Sequence, residues 1–325
     1  MTKKALIFGI SGQDGAYLAE HLLGKGYTVH GSSRDAESNP FHGLEKLGIR
    51  NDVSLHSASL NDFRNLLHLI TEVEPDEIYN LAGQTSVGLS FIQPVEAFDS
   101  IALGTVQILE VIRYLRAPIR FYNAGSSECY GQIEPGASCD ENTPFHPRSP
   151  YAAAKAAAHW TTANYREAYD IYACTGILFN HESPLRPRRF VTRKIVQTAV
   201  RIAMGENINL TLGNLEVWRD WGYAKDYVDA MWRMLQLDKP EDLVIATGVS
   251  YSLQDFLSKA FERLGLDWKD HVQQEQSLFR PSDIAYSRGN PARAYEVLDW
   301  KAKTQFDDLI SLLIEAEQQD AIPAS

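Results

Sequence analysis

The chain is poor in cysteine, with three in 325 residues, and it has no surplus of positive charge. Cys129, Cys139 and Cys174 show neither C-x-x-C nor metal-ligand spacing, so we expect no metal site. This cysteine usage fits a reducing compartment, and we predict a cytoplasmic location. The net charge of −11 argues against nucleic acid as a partner, because binding to a phosphate backbone needs a basic surplus.

Long apolar runs are also absent from the sequence. No segment is long and apolar enough to span a bilayer, so we expect no membrane partner. Lys3 and Lys4 before the apolar residues 5–10 have the look of a signal peptide, but this stretch is too short and runs into Gln13 and Asp14. With 44% hydrophobic residues, the chain can build a large core in one or two domains.

The N-terminal segment has the pattern of a phosphate-binding turn. Residues 5–10 predict a buried parallel strand, and residues 16–23 are apolar at helical spacing. Between them lie the candidate cofactor residues Gly9, Gly12, Gln13, Asp14 and Gly15. Glycines at such a turn let the backbone approach a pyrophosphate, whose charge then lies at the helix N-terminus. The pattern predicts a dinucleotide site, with a purely structural turn as the alternative.

The end of the next predicted strand, residues 28–31, bears on the choice of cofactor. NAD-binding proteins usually place an acidic residue here for the ribose 2′-hydroxyl, whereas a nearby Arg can hold a 2′-phosphate. Ser33 stands near the acidic position and Arg34 follows it, while Asp35 is an opposing signal. The sequence therefore favours NADP as the cofactor, with Arg34 as one of its ligands.

Strand and helix patterns alternate through the first half of the chain and then give way to shorter elements. Further strands are predicted at 53–56, 77–82, 119–123 and 171–178, and helices at 63–73, at 97–115 and from Pro150. This alternation predicts an α/β fold, a Rossmann-type doubly wound parallel sheet with a smaller mixed α/β lobe. We expect an NADP-binding domain at 1–178 and roughly 221–243, and a substrate-binding lobe at 179–220 and 244–325.

Several polar positions fall where predicted strands end. Ligands of doubly wound sheets bind beyond the C-terminal ends of the strands. The segments at such ends are 9–15, 81–83, 126–128 and Asn180. Their convergence predicts one site at that edge of the sheet.

Tyr151 and Lys155 are a candidate catalytic pair. They stand four residues apart on a predicted helix and therefore share one face. A Lys ammonium favours the charged form of a nearby phenol, so we expect a Tyr151 pKa lowered toward neutrality, which suits a base acting on a substrate hydroxyl. The spacing alone is common on ordinary helices; Ser126 and Glu128 upstream strengthen the functional interpretation.

A basic cluster follows the predicted sixth strand. It consists of Arg186, Arg188, Arg189, Arg193 and Lys194. It is typical of a solvated loop or of a pocket for a diphosphate.

Long stretches of the chain resemble the GDP-mannose 4,6-dehydratases of the extended short-chain dehydrogenase/reductase family. The stretches are 9–15, 77–82, 120–131, 176–184, 190–194, 219–228 and 279–281. The resemblance implies that GDP-mannose becomes GDP-4-keto-6-deoxymannose through oxidation at C4, water loss across C5 and C6, and hydride return to C6. The alternatives are a related nucleotide-sugar epimerase or 4-reductase, and a non-catalytic NADP-binding sensor.

The resemblance also implies roles for individual residues. Ser126 would bond the sugar 4-hydroxyl and Tyr151 would take its proton, while Lys155 would hold Tyr151 and the nicotinamide ribose. Glu128 would remove the C5 proton and help expel the 6-hydroxyl. Further implied cofactor residues are Leu81, Ala82, Leu178, His181 and Arg186. Implied substrate residues are Ser86, Ser127, Asn180, Val191, Lys194, Gly213, Arg219, Arg280 and Asp283. For His181 a structural role is the alternative.

The sequence departs from the family pattern at a few positions. Ser59 replaces an Asp near the adenine, Ser86 replaces a His, and Asp283 replaces a Glu. Leu185 replaces an Arg in a region that contributes to tetramer contacts in the family. The resemblance implies a homo-oligomer, a dimer or a tetramer, and the change at Leu185 argues against the tetramer.

Overall fold

A seven-stranded parallel sheet forms the centre of the computed structural model, which describes residues 2–279 and 281–321. In chain order the strands are β1 (Lys4–Phe8), β2 (Thr28–Ser33), β3 (Val53–Ser57), β4 (Glu77–Asn80), β5 (Arg120–Ala124), β6 (Ala173–Leu178), β7 (Asn180–Glu182), β8 (Leu210–Leu212), β9 (Trp218–Arg219), β10 (Trp221–Tyr223), β11 (Leu243–Ile245), β12 (Tyr251–Ser252) and β13 (Val272–Gln274). The large sheet has the order β11-β6-β5-β4-β1-β2-β3, with every neighbouring pair parallel. The predicted doubly wound sheet is confirmed, and its strand order reverses between β1 and β4.

Helices cover both faces of this sheet and build most of the second lobe. They are α1 (Gln13–Gly24), α2 (His42–Lys46), α3 (Phe63–Val73), α4 (Val87–Ser90), α5 (Pro94–Ala97), α6 (Gly104–Leu115), α7 (Pro150–Tyr169), α8 (Val191–Ala203), α9 (Ala224–Met234), α10 (Leu253–Glu262), α11 (Ala292–Leu298) and α12 (Phe306–Ala321). The helix predicted over 97–115 is instead divided, because a π-helical segment, Phe98–Leu103, lies between α5 and α6.

Strand β1 shows why the sequences of the central strands are continuous apolar runs. Ala5 and Ile7 pack into a core cluster that includes α1 and α9. Leu6 and Phe8 pack into the opposite cluster, which includes α3 and α6. Because alternate side chains of a strand point to opposite faces, a sheet covered on both faces needs apolar residues at every position.

The second lobe has its own apolar core, built from α8, α10 and α12 around the short strand β8. Ile195, Phe256 and Leu313 are fully buried in it. Short strand pairs connect the chain around this core: β7 with β10, β8 with β13, and β9 with β12. These strands are two or three residues long, which is too short for an alternating pattern of apolar residues to be recognised in the sequence.

The packing differs at two places from the predicted division into a domain and a lobe. Strand β11 joins the edge of the central sheet through Ile245, beyond the expected boundary at 243. Ala294 and Leu298 of α11, with Trp300, pack into the first-domain core rather than the lobe. Their apolar side chains bury against β11 and α9, so the end of the chain contributes to both units.

Candidate active site

The turn between β1 and α1 is as tight as the glycine pattern predicts. Gly9 has a φ of +85°, and a Cβ there would lie 2.8 Å from the backbone nitrogen of Ala82. A Cβ on Gly15 would collide with the Gly9 carbonyl oxygen and Ile10. Gly12 caps α1 without a side chain, so the first-turn N–H groups of α1 receive no side-chain cap. Such a helix N-terminus suits an anionic ligand.

Gln13 holds the start of α1 against the segment that follows β6. Its amide nitrogen donates to the His181 carbonyl oxygen at 3.1 Å and to Asp14 Oδ1 at 3.0 Å. Its amide oxygen accepts from the Ser183 hydroxyl at 2.7 Å. The Gln13 side chain is buried and its polar atoms are engaged by protein groups, so the structure gives it a positioning contact between α1 and residues 181–183.

Asp14 and His181 form a largely buried ion pair. His181 Nε2 lies 2.9 Å from Asp14 Oδ2, and Nδ1 lies 2.7 Å from the Phe179 carbonyl oxygen. Both ring nitrogens thus face acceptor oxygens, which favours the imidazolium. Burial by itself would lower the pKa of His181, but the Asp14 carboxylate more than offsets this and raises it. Burial would likewise raise the pKa of Asp14, yet His181 and Gln13 bring it below its usual value.

Ser126 and Glu128 lie just beyond the end of β5. Ser126 caps a single 3₁₀ turn, Ser127–Tyr130, by accepting a hydrogen bond from the Glu128 backbone nitrogen at 3.3 Å. Ser126 and Ser127 are buried, whereas Glu128 is half-buried at the cleft. The turn therefore presents a carboxylate beside the Ser126 hydroxyl.

Helix α7 carries Tyr151 and Lys155 on the face that meets this turn. Ser149 caps α7 by accepting from the Ala152 backbone nitrogen at 3.1 Å, and Pro150 occupies the first helical position. The Ser126 side chain lies close to the Tyr151 phenol. Lys155 Nζ donates to the Ala124 carbonyl oxygen at 2.7 Å and lies 5.9 Å from the centre of the Tyr151 ring.

The predicted lowering of the Tyr151 pKa is wrong for this structure. Burial raises the pKa of the Tyr151 phenol, and the nearby Ser126 hydroxyl opposes that shift only in part. Lys155 is directed at the backbone of β5, and burial lowers the pKa of its ammonium to about 8. Desolvation disfavours the charged form of both groups, so the four-residue spacing on the helix was not enough to predict the direction of the Tyr151 pKa shift.

These elements surround one cleft of about 470 Å³ at the C-terminal edge of the central sheet. Most of the residues predicted for the site line it: Asp14, Leu81, Ser86, Ser126, Ser127, Glu128, Tyr151, Lys155, Leu178, Asn180, His181, Arg186, Val191, Lys194, Gly213, Arg219 and Asp283. The predicted convergence of strand ends is thus confirmed as geometry. The roles of the individual residues stay predictions.

The other predicted site residues do not line this cleft or cannot be placed. Gly9, Gly12, Gly15 and Ala82 form the backbone of the tight turn and its neighbour. The Arg34 side chain is 86% exposed and approaches Glu96 at 4.0 Å. Arg280 lies outside the described residues.

The lobe side of the cleft is rich in cationic groups held by protein oxygens. Lys194 Nζ donates to the Thr211 carbonyl oxygen at 2.7 Å. Arg219 donates to the Ile284 carbonyl oxygen at 2.6 Å and to Asp283 Oδ1 at 3.2 Å. Asp283, predicted as a substrate residue, is therefore engaged with Arg219 in this structure.

Sequence reasoning missed several residues of the cleft, notably Phe190, Thr211 and Trp221. The Arg186 guanidinium stacks over the Phe190 ring at 3.7 Å, so this aromatic ring supports a predicted cofactor residue. An aromatic residue within the basic cluster, between Arg189 and Arg193, was the signal that could have found it. Thr211 lies in the short strand β8, for which the sequence offered no comparable pattern.

Among the residues that the structure describes, no group of His, Cys, Asp and Glu is arranged to hold a metal ion. Across the same residues, no helix has the length and apolar character needed to cross a membrane.

Comparison with known proteins extends the geometric description. The sequence profile of GDP-mannose 4,6 dehydratase matches residues 6–313. GDP-mannose 4,6 dehydratase 2 of Arabidopsis thaliana is 46% identical over 325 residues, covering 97% of this chain and 87% of the relative. Human GDP-mannose 4,6 dehydratase is 42% identical, covering 96% and 91%. Among solved structures, RMD from Pseudomonas aeruginosa complexed with NADPH superposes with a TM-score of 0.82 at 21% identity, covering 98% of this chain and 100% of that one.

The Rossmann-type sheet is the fold of that NADPH complex, and the cleft at its edge contains a Ser–Tyr–Lys set. Sequence similarity over nearly the full length is more specific than this fold. The chain belongs to the GDP-mannose 4,6-dehydratase family, whose members act on nucleotide sugars.

Proposed function

We propose that this protein is an NADP-dependent GDP-mannose 4,6-dehydratase, which converts GDP-mannose to GDP-4-keto-6-deoxymannose. One observation carries the proposal: the Glu128 carboxylate lines the same cleft as Ser126, Tyr151 and Lys155. Dehydration needs a second base besides the tyrosine, whereas a simple reductase or epimerase needs no carboxylate there.

The positions of the chain's own groups are compatible with the roles that we propose for them. Tyr151, close to Ser126, takes the proton of the sugar 4-hydroxyl, and Ser126 orients that hydroxyl. Glu128 removes the C5 proton, which the 4-keto group acidifies, and assists departure of the 6-hydroxyl as water. A nicotinamide cofactor, held by the turn before α1 and by Lys155, would supply hydride acceptance from C4 and hydride return to C6 with no net change in its oxidation state. Lys155, whose ammonium donates to the Ala124 carbonyl oxygen in this structure, keeps its proposed role of holding Tyr151 and the nicotinamide ribose.

The residues present fit a dinucleotide. The glycine turn leaves no room for a side chain beside Ala82, and the α1 N-terminus carries no side-chain cap. Asp14, Leu81, Leu178, His181 and Arg186 line the adjoining part of the cleft. A helix N-terminus and a nearby guanidinium together suit the pyrophosphate of such a cofactor.

Two contacts support NADP over NAD. Asp35 Oδ1 accepts from the backbone nitrogens of Glu37 and Ser38 at 3.0 and 3.1 Å, so this carboxylate closes its own turn. The opposing signal from Asp35 is thereby weakened, because one of its two carboxylate oxygens is already used by the turn. Arg34 stands exposed beside it and is available for a 2′-phosphate.

The lobe side of the cleft supports a nucleotide-diphosphate sugar as the substrate. Asn180, Val191, Lys194, Gly213 and Arg219 line it. Lys194 and Arg219 supply the positive charge that a diphosphate needs. Ser86, Ser127 and Asp283 lie nearer the sugar in this proposal, and Arg280 remains a predicted ligand. A cytoplasmic location and a dimeric or tetrameric assembly also stay predictions.

Incubation of the purified protein with GDP-mannose, without added reductant, tests the proposal by mass spectrometry. We expect loss of one water with no net change of the cofactor. An unchanged mass with an isomer seen by NMR would instead establish an epimerase. Consumption of NADPH in a separate incubation with a 4-keto nucleotide sugar would establish a 4-reductase.

A further inference from the structure

Asp220 is a fully buried carboxylate behind the wall of the cleft. Its chain neighbours Arg219 and Trp221 line the cleft, but Asp220 does not. It belongs neither to β9, which ends at Arg219, nor to β10, which begins at Trp221. The carboxylate therefore lies at the junction of two strands that carry cleft residues.

The Asp220 carboxylate accepts four hydrogen bonds from distant parts of the chain. Oδ1 accepts from the backbone nitrogen of Thr247 at 2.9 Å and from its hydroxyl at 2.6 Å. Oδ2 accepts from the backbone nitrogens of Gly248 at 2.9 Å and Gly289 at 3.3 Å. Burying a carboxylate costs free energy unless its oxygens accept hydrogen bonds in this way. The fold therefore depends on these donors staying in place.

These donors fix the junction to the central sheet. Thr247 and Gly248 follow β11, the outermost strand of that sheet. Gly289 forms a β-bridge with Cys139, which lies in the loop between the Glu128 turn and α7. Asp220 thus joins the edge of the first domain to the strands that enter and leave the lobe.

The strands on either side of Asp220 carry predicted substrate residues. Arg219 pairs with Tyr251 of β12, and its guanidinium donates to the Ile284 carbonyl oxygen. Trp221 pairs with Asn180 of β7. A shift of the junction would therefore move both walls of the predicted sugar-nucleotide site.

We propose that Asp220 is a positioning residue for nucleotide-sugar binding, which holds Arg219 and Asn180 in place by tying their strands to the sheet edge. This inference rests on the proposed function. The cofactor side has separate anchors, the Gln13–Ser183 hydrogen bond and the Asp14–His181 ion pair. Weakening Asp220 should therefore affect the nucleotide sugar more than the cofactor.

Asp220→Asn tests the inference, because the amide places a donor where the carboxylate meets only donors. We expect the calorimetric Kd for GDP and the KM for GDP-mannose to rise about tenfold, with a smaller change in kcat and an unchanged Kd for NADP. The matched control is Asp226→Asn, since Asp226 Oδ2 also accepts two backbone N–H groups, from Lys303 and Thr304. It should lower stability and leave both Kd values unchanged.

A second pair of variants covers the case in which Asp220→Asn does not fold. Thr247→Val removes the hydroxyl donor to Asp220 together with the hydroxyl's 3.2 Å contacts to the Val249 backbone, and Thr247→Ser retains all of them. The valine variant should weaken GDP binding and the serine variant should not. Unchanged GDP binding in folded Asp220→Asn or Thr247→Val would overturn the inference alone. A wild-type protein that binds no GDP would overturn the proposed function, and the inference with it.

Discussion

Replacement of Glu128 by Gln separates the two halves of the proposed reaction. Among the described residues, the Glu128 carboxylate makes no hydrogen bond or ion pair, and Gln has nearly the same shape. The free energy of unfolding should therefore change by no more than about 0.5 kcal/mol. Loss of a general base should slow dehydration by roughly 10²–10⁴-fold. That factor corresponds to about 3–5 kcal/mol in the activation barrier.

The assay follows oxidation and water loss separately in the Glu128→Gln variant. Tyr151 and Ser126 are unchanged, so the reduced nicotinamide should accumulate and be seen by its near-ultraviolet absorbance. Mass spectrometry should show little loss of water from GDP-mannose, and C5 should not exchange its proton in deuterated water. Glu134→Gln is the matched control, because Glu134 is exposed in the loop after the same turn. It should dehydrate GDP-mannose at the wild-type rate.

One result would refute this reasoning. If Glu128→Gln dehydrates GDP-mannose at the wild-type rate, the base for the C5 proton is another group. The distinction between dehydratase and epimerase chemistry could then no longer rest on this carboxylate.

Further predictions concern the tyrosine, the buried ion pair and the cofactor. Tyr151→Phe should abolish turnover, at least about 10²-fold, while calorimetry shows unchanged NADP binding. The Asp14–His181 pair should stabilise the fold fully between pH 3.8 and 6.5; this contribution should fade as the pH rises through the raised His181 pKa or falls through the lowered Asp14 pKa. Asp14→Asn should remove that pH dependence and cost ~1–3 kcal/mol, because the pair is partly solvent-exposed, as denaturant titrations at several pH values can show. Arg34→Ala should weaken NADP about tenfold and leave NAD binding unchanged, measured by calorimetry.

The arrangement of the central sheet was predictable because its signals are local. A strand buried on both faces reads as an apolar run, and a tight βα turn demands glycine, as Gly9 shows. The predicted helix 63–73 agrees with α3 because apolar residues recur at helical spacing. The predicted helix 97–115 agreed less well with the observed helices. The π-helical segment packs against α7, and the spacing of apolar residues in the sequence does not reveal it.

The candidate site was predictable to the extent that strand ends gather at one edge of a parallel sheet. The electrostatics were not, because burial governs the pKa of Tyr151 and Lys155 and burial is a property of the assembled structure. The engagement of Asp283 with Arg219 was also hidden, since these side chains are 64 residues apart.

The sequence by itself determined the sheet class, the glycine turn, the common helix face of Tyr151 and Lys155, and the family. The first three depend on residues that are close together in the sequence. The family depends on long stretches of sequence that the chain shares with its relatives. Only the tertiary structure decided the positions of Gln13 and Asp220. Gln13 meets Ser183 across 170 residues, and Asp220 meets Gly289 across 69. Hydrogen bonds over such separations form only when the chain has folded, so no local pattern encodes them.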